Sequence, residues 1–140
     1  MTEDNRLLKT YEYWNLYLNY SQQYFGATYI KSKRIVSNIS EFNESEWNES
    51  LLITKSVESI LNHLVEGIRP EKINYRLDNT NIDGFFRIQI IPRYNGVFKF
   101  GGFDFGDDIS IKYPRFDKNF KVPYNIRNRI YNLIRKKLGG

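Results

Sequence analysis

The sequence predicts an α+β fold: a single domain over 1–140, with a three- or four-stranded antiparallel meander packed against N-terminal, middle and C-terminal helices. Three observations carry this. Asn95-Gly96 sits between two apolar, aromatic-rich runs within 84–106, which is the pattern of a hairpin turn. Val57, Ile60, Leu61, Leu64, Val65 and Ile68 recur at helical spacing. Ile126, Ile130, Leu133, Ile134 and Leu138 do the same near the C-terminus, after Pro123, a residue suited to the first turn of a helix. A chain of 140 residues is long enough to bury a core.

Composition narrows the function classes. The hydrophobic fraction of 41% and the charged fraction of 26% are ordinary for a globular protein. The absence of cysteine excludes disulfides and thiolate metal sites. No apolar run reaches the length of a membrane helix, so no membrane contact is expected. The first residues are acidic and then amphipathic, unlike a signal peptide, which makes the cytoplasm the expected location. Net charge is +5, and residues 101–140 hold nine Lys/Arg against four Asp/Glu. A basic end of this kind suits nucleic acid or an acidic protein surface.

Taken in order, residues 3–25 read as a helix, with Leu7, Tyr11, Trp14, Leu18 and Phe25 as its apolar stripe. Residues 27–36 have strand character around Lys31, Lys33 and Arg34, which reads as an edge strand or equally as a phosphate-contacting strip. Residues 37–50 read as an acidic loop, with an early entry into the next helix as the alternative. A helix follows over 55–67, capped by Thr54 or Ser56 and stopped by Gly67 and Pro70. Residues 72–78 alternate like a half-buried strand, and Ile109, Ile111 and Tyr113 suggest another. In the central hairpin, a two-residue turn at Asn95-Gly96 would set Arg87 opposite Asp104 and place Arg93 and Phe98 on its mixed face. Pro92 argues for an edge strand.

No motif names a reaction. There is no phosphate loop, dinucleotide fingerprint, nucleophile elbow or His-based metal motif, so no catalytic residue, cofactor or metal is assigned. Asp104, Asp107 and Asp108 with Lys112 faintly suggest a metal-dependent nuclease, but Ser110 stands where an acidic residue is needed. The reading is therefore a non-catalytic binding protein. It would contact nucleic acid, or a complex carrying it, through Arg127, Arg135 and Lys136 of the last helix and Arg87, Arg93 and Phe98 of the hairpin. Cations neutralise phosphates and aromatic rings stack on bases. The alternative is a protein–protein inhibitor or adaptor of the immunity or phage anti-defence type. Tyr13, Tyr17 and Tyr20 of the first helix, with Glu44 and Glu46 of the acidic loop, would make that contact.

Overall fold

A computed structural model describes residues 6–79 and 83–139. The α+β class holds, with an antiparallel sheet and two α-helices among the described residues. The chain runs β1 (Leu7–Thr10), β2 (Trp14–Leu18), β3 (Thr28–Ile35), α1 (Glu44–Asn62), β4 (Lys72–Asp78), β5 (Phe85–Arg93), β6 (Gly96–Phe100), β7 (Phe103–Asp107) and α2 (Tyr124–Lys137). Five strands form one antiparallel sheet in the order β1-β2-β3-β5-β4, and β6 and β7 form a separate ribbon.

The N-terminal helix expected from the sequence is absent. Its apolar stripe also fits a period of two: Trp14, Leu16 and Leu18 are buried on one side of β2, with Asn15 and Tyr17 on the other. The turn between β1 and β2 is held from outside. The Glu49 carboxylate accepts hydrogen bonds from the backbone N–H groups of Glu12, Tyr13 and Trp14 at 3.3, 2.7 and 3.2 Å.

The central hairpin is also displaced. No residue other than glycine has positive φ among those described, so Asn95 cannot enter the type I′ turn that its pairing with Gly96 suggested. Gly101 and Gly102 do have positive φ, at 60° and 82°, and they join β6 to β7. β5 instead pairs with β3 on one side and β4 on the other. Pro92 is tolerated inside the sheet because pairing with β3 ends at Ile90. Lys99, not Arg87, stands opposite Asp104.

Helix α1 starts eleven residues earlier than the apolar spacing suggested. Its cap is Asn43 rather than Thr54 or Ser56. The Asn43 side chain accepts from Glu46 N–H at 2.9 Å, and the Glu46 carboxylate accepts from Asn43 N–H at 2.9 Å. The strand expected at 109–113 is replaced by a turn in which the Asp108 side chain accepts from Ser110 N–H at 3.0 Å. The last helix follows the sequence-based expectation closely, with Ile126, Ile130 and Ile134 buried.

The buried sides of both helices join one core with Leu16, Ile30, Ile88 and Ile90 of the sheet. Phe25 anchors its aromatic end, with the rings of Phe98, Phe100 and Phe105 at 5.5, 5.0 and 5.1 Å. Each such pair adds about 0.5–1.5 kcal/mol beyond the area it buries.

One polar group is as deeply buried as this core. Arg93 is 0% exposed. Its Nε and Nη2 donate to the two oxygens of Asp107 at 2.9 and 3.1 Å, and Nη1 donates to Asn74 Oδ1 at 3.0 Å. Nη2 also donates to the carbonyls of Asp108 and Ile111 at 3.1 and 2.8 Å. Asp107 in turn accepts from Tyr94 N–H at 2.8 Å. Burial, and then the Asp107 charge, raises the pKa of the Tyr94 hydroxyl well above its ordinary value. Arg93→Ala should cost about 3–5 kcal/mol, because it leaves a buried carboxylate without its partner. Urea unfolding checks this; Lys99→Ala, at an exposed pair, should leave the midpoint within error.

Candidate functional site

Side chains alternate across a strand, so each residue opposite the core falls on the second face of the sheet. The register sets them in two rows. One row runs Asn15, Lys31, Arg87 and Asp78 across β2, β3, β5 and β4. The next runs Tyr17, Tyr29, Gln89 and Arg76 across the same strands. α1 and α2 both pack into the core on the other side, which leaves these rows as the polar face.

The rows combine three kinds of group. Tyr17 and Tyr29 stack with centroids 5.2 Å apart and 15° between planes, and the Arg87 guanidinium lies 5.4 Å from the Tyr29 ring. Lys31 and Arg87 converge on Asp83, with Nζ and Nη2 at 3.1 and 2.9 Å from Oδ2. Both cations are largely covered, at 14% and 13% side-chain exposure. The third group is the most telling. Asn15 Oδ1 and Gln89 Oε1 are buried amide oxygens with no hydrogen-bond partner among the described residues. Such an acceptor costs about 1–3 kcal/mol when left unsatisfied. Two in adjacent rows form a place where a ligand's N–H or O–H groups would be favourable.

Arg87 lies in this face, as one of the residues expected from the sequence. Arg93 and Phe98 do not. Arg93 is engaged by Asp107, Asn74 and two carbonyls, and Phe98 packs between Phe25 and a stacked Phe105. Arg93 is fully buried, whereas Phe98 remains partly exposed. Arg127 lies 4.3 Å from the Tyr20 ring and 5.5 Å from that of Tyr124. Arg135 donates to the Tyr131 hydroxyl at 2.9 Å, and Lys136 is exposed on the same helix.

The residues of the protein-contact alternative are drawn from several elements, with Tyr13 beside the first turns of α1. Tyr13 sits in the β1–β2 turn, Tyr17 in the sheet's polar face and Tyr20 in the loop after β2, because the helix meant to align them is absent. Glu44 is exposed in the first turn of α1. Glu46 is 3% exposed and paired with Arg34 at 2.9 Å. The nuclease cluster is likewise dispersed: Asp104 pairs with Lys99, Asp107 with Arg93, and Asp108 with Ser110. Among the described residues no three His, Asp or Glu side chains come together as a metal site.

Asn15, Tyr29, Asp83 and Gln89 are candidate site residues that the sequence alone does not single out, whereas Lys31 is legible in the basic strip it forms with Lys33 and Arg34. Arg87 and Gln89 are visible as alternating polar residues of one strand. Their other neighbours become visible only once β3 and β5 are known to pair.

No family model matches the sequence, and no curated protein matches it. Solved structures do share the fold. A Hit-like protein from Bartonella henselae is 12% identical with a TM-score of 0.63, covering 94% of this chain and 85% of that one. A zinc-bound histidine triad family protein from Mycobacterium smegmatis is 13% identical with a TM-score of 0.61, covering 95% and 83%. A hypothetical histidine triad nucleotide-binding protein from Sulfolobus tokodaii is 16% identical with a TM-score of 0.63, covering 96% and 83%. At such identities the likeness establishes the fold alone. This chain has a single histidine, His63, at the C-cap of α1, so it cannot assemble three.

Asp83 offers a direct check on the charge arrangement. Partial burial pushes its carboxyl upward, but hydrogen bonds from Arg87, Phe85 N–H and Lys31 outweigh this and lower its pKa from 3.8 to about 2. Its contribution to stability is therefore complete above about pH 4 and is lost as pH falls towards 2. A carbon-13 titration should place the Asp83 midpoint near 2, and Arg87→Gln should move it back towards 3.8.

Proposed function

We propose that the protein binds a nucleotide-type ligand on the polar face of its sheet, without histidine-triad chemistry. The single observation that carries this is the pair of buried, unpartnered acceptors, Asn15 Oδ1 and Gln89 Oε1, beside the Lys31 and Arg87 cations. A nucleoside offers N–H and O–H donors for the amides, and its phosphate offers a charge for the cations. A phosphate would compete with Asp83 for them, and charge-assisted bonds of this kind are the strong ones. The Tyr17–Tyr29 stack, with both residues buried, lies in the same row as Gln89 and stiffens the sheet beneath the site.

The fold shared with a structure described as a nucleotide-binding protein supports the ligand class. It also narrows the expectation from sequence, that nucleic acid is the partner, to the unit from which nucleic acid is built. The lone histidine supports a binding role, since His63 ends the helix that covers the opposite face. Arg135 and Lys136 on α2 add long-range attraction that salt screens.

Calorimetric titration with AMP and with adenosine tests the proposal. AMP should bind more tightly than adenosine. Lys31→Gln with Arg87→Gln should lower AMP affinity about tenfold or more and affect adenosine less. Gln89→Ala should weaken both. Lys136→Gln should matter only at low salt. Binding of neither ligand, or binding untouched by all three changes on the face, would refute the assignment.

A further inference from the structure

The polar face is bordered by a second feature that the proposal above does not use. Ile91 follows Gln89 on the same side of β5, about 7 Å further along the strand. It packs with Tyr24, Ala27 and Phe116 in a small cluster of its own. Beyond Phe116 lies a cleft of about 350 Å³, between the loop after β2 and the segment 116–122. Phe116 is thus a ridge with the polar face on one side and the cleft on the other.

The cleft carries aromatic rings from Tyr20, Phe116 and Phe120, and cations from Lys118, Lys121 and Arg127. Asp117 is the one acidic residue among its described walls. Lys118, Lys121 and Arg127 have no ion-pair partner among the described residues. The Arg127 guanidinium is nevertheless placed, 4.3 Å from the Tyr20 ring, with no acceptor for its N–H groups among the described residues. Tyr20 is 48% exposed, and its ring carries a second guanidinium, that of Arg6, 5.4 Å from its centroid. The walls are held rather than loose. Gln23 Oε1 accepts from Asp117 N–H at 2.6 Å, and the Tyr24 hydroxyl donates to the Arg115 carbonyl at 3.0 Å. Gln22, 1% exposed, donates to the carbonyls of Asn19 and Ala27 and accepts from Gly26 N–H, all at 2.9 Å.

Cations with open donors beside aromatic rings form a site for a phosphate attached to a flat base. The volume falls within the range of small-ligand sites. Two such sites across one ridge repeat the chemistry of a polynucleotide, in which phosphate and base alternate. We infer that the Tyr20–Arg127 cleft binds a second nucleotide unit of a single-stranded nucleic acid whose first unit occupies the polar face. The identity of that first unit rests on the proposed function; the cleft's own chemistry does not. Stacking of this kind contributes sequence-tolerant affinity, and each neutralised phosphate adds to the salt dependence.

The test is fluorescence anisotropy with a labelled oligothymidylate of about eight nucleotides, within the usual site size for a single strand, beside AMP. Arg127→Gln, and separately Lys118→Ala with Lys121→Ala, should weaken the oligonucleotide at least tenfold while leaving AMP within twofold. Removing one phosphate-binding cation should reduce the slope of log affinity against log salt by about 0.7. Arg135→Gln, outside the cleft, should change affinity less than twofold at physiological salt. The lysine pair lies on a surface segment, so it reads the cleft even if Arg127→Gln unfolds. Oligonucleotide affinity and slope unchanged in the lysine variant would overturn the inference, as would no binding of the strand to the native protein. Equal loss of AMP and strand would overturn it too, by making the cleft a mononucleotide site. Gln89→Ala separates the two proposals: loss there with silent cleft variants leaves the proposed function standing and removes only this one.

Discussion

The Arg93–Asp107 pair is the constraint on which the arrangement depends. A guanidinium with no solvent access has to find its acceptors within the protein, and Arg93 finds them in four places at once. Asp107 ends the β6–β7 ribbon, Asn74 lies on the edge strand β4, and the carbonyls of Asp108 and Ile111 belong to the turn that follows the ribbon. The end of β5 is therefore tied to the ribbon, the sheet edge and the connection towards 115. That connection carries Phe116 across Ile91 and so closes one end of the polar face. A buried pair of this kind adds little net stability over an apolar replacement, but it is strongly directional. Its effect here is to fix, relative to one another, segments drawn from separate parts of the chain.

That constraint also explains how the sheet can have a second face with unfulfilled groups. The core side is closed by two amphipathic helices and a cluster of phenylalanines around Phe25. On the other side, Tyr24, Ala27, Ile91 and Phe116 meet in a small cluster of their own. In the remaining rows, tyrosine stacking and the Lys31–Asp83–Arg87 cluster shield the sheet, yet Asn15 and Gln89 keep buried oxygens without donors among the described residues. Groups in this condition mark a site better than exposed cations do, because exposed cations are satisfied by water. The fold is shared with histidine triad proteins, while the groups on this face are amides, tyrosines and cations. Fold alone does not carry chemistry.

Legibility in the sequence followed the locality of each signal. α2 could be read because one apolar stripe and Pro123 both lie at or within it. β4 and the strand character of β3 could be read from alternation. The first segment could not, because Leu7, Tyr11, Trp14 and Leu18 satisfy a helical period while Trp14, Leu16 and Leu18 satisfy a strand period. The choice falls to Glu49, thirty-five residues from Trp14, whose carboxylate fixes the turn. Asn95-Gly96 misled for a similar reason: Gly101-Gly102 offers two adjacent positive-φ positions, and β6 pairs with β7 across them rather than with β5. Of the site, Arg87 was legible as a basic strand residue. Lys31 was legible too, in the basic strip it forms with Lys33 and Arg34, whereas Asn15 and Gln89 were not, since they join the others only through the pairing of three strands.

On the proposed function, the polar face of the sheet, and not the outer face of α2 alone, receives the ligand. Amide and side-chain NMR shifts during titration with AMP test it most directly. The largest changes should fall on Asn15, Tyr29, Lys31, Arg87 and Gln89, with the side-chain amides of Asn15 and Gln89 among them. Changes confined to Arg135, Lys136 and the rest of α2, with the sheet unmoved, would contradict it.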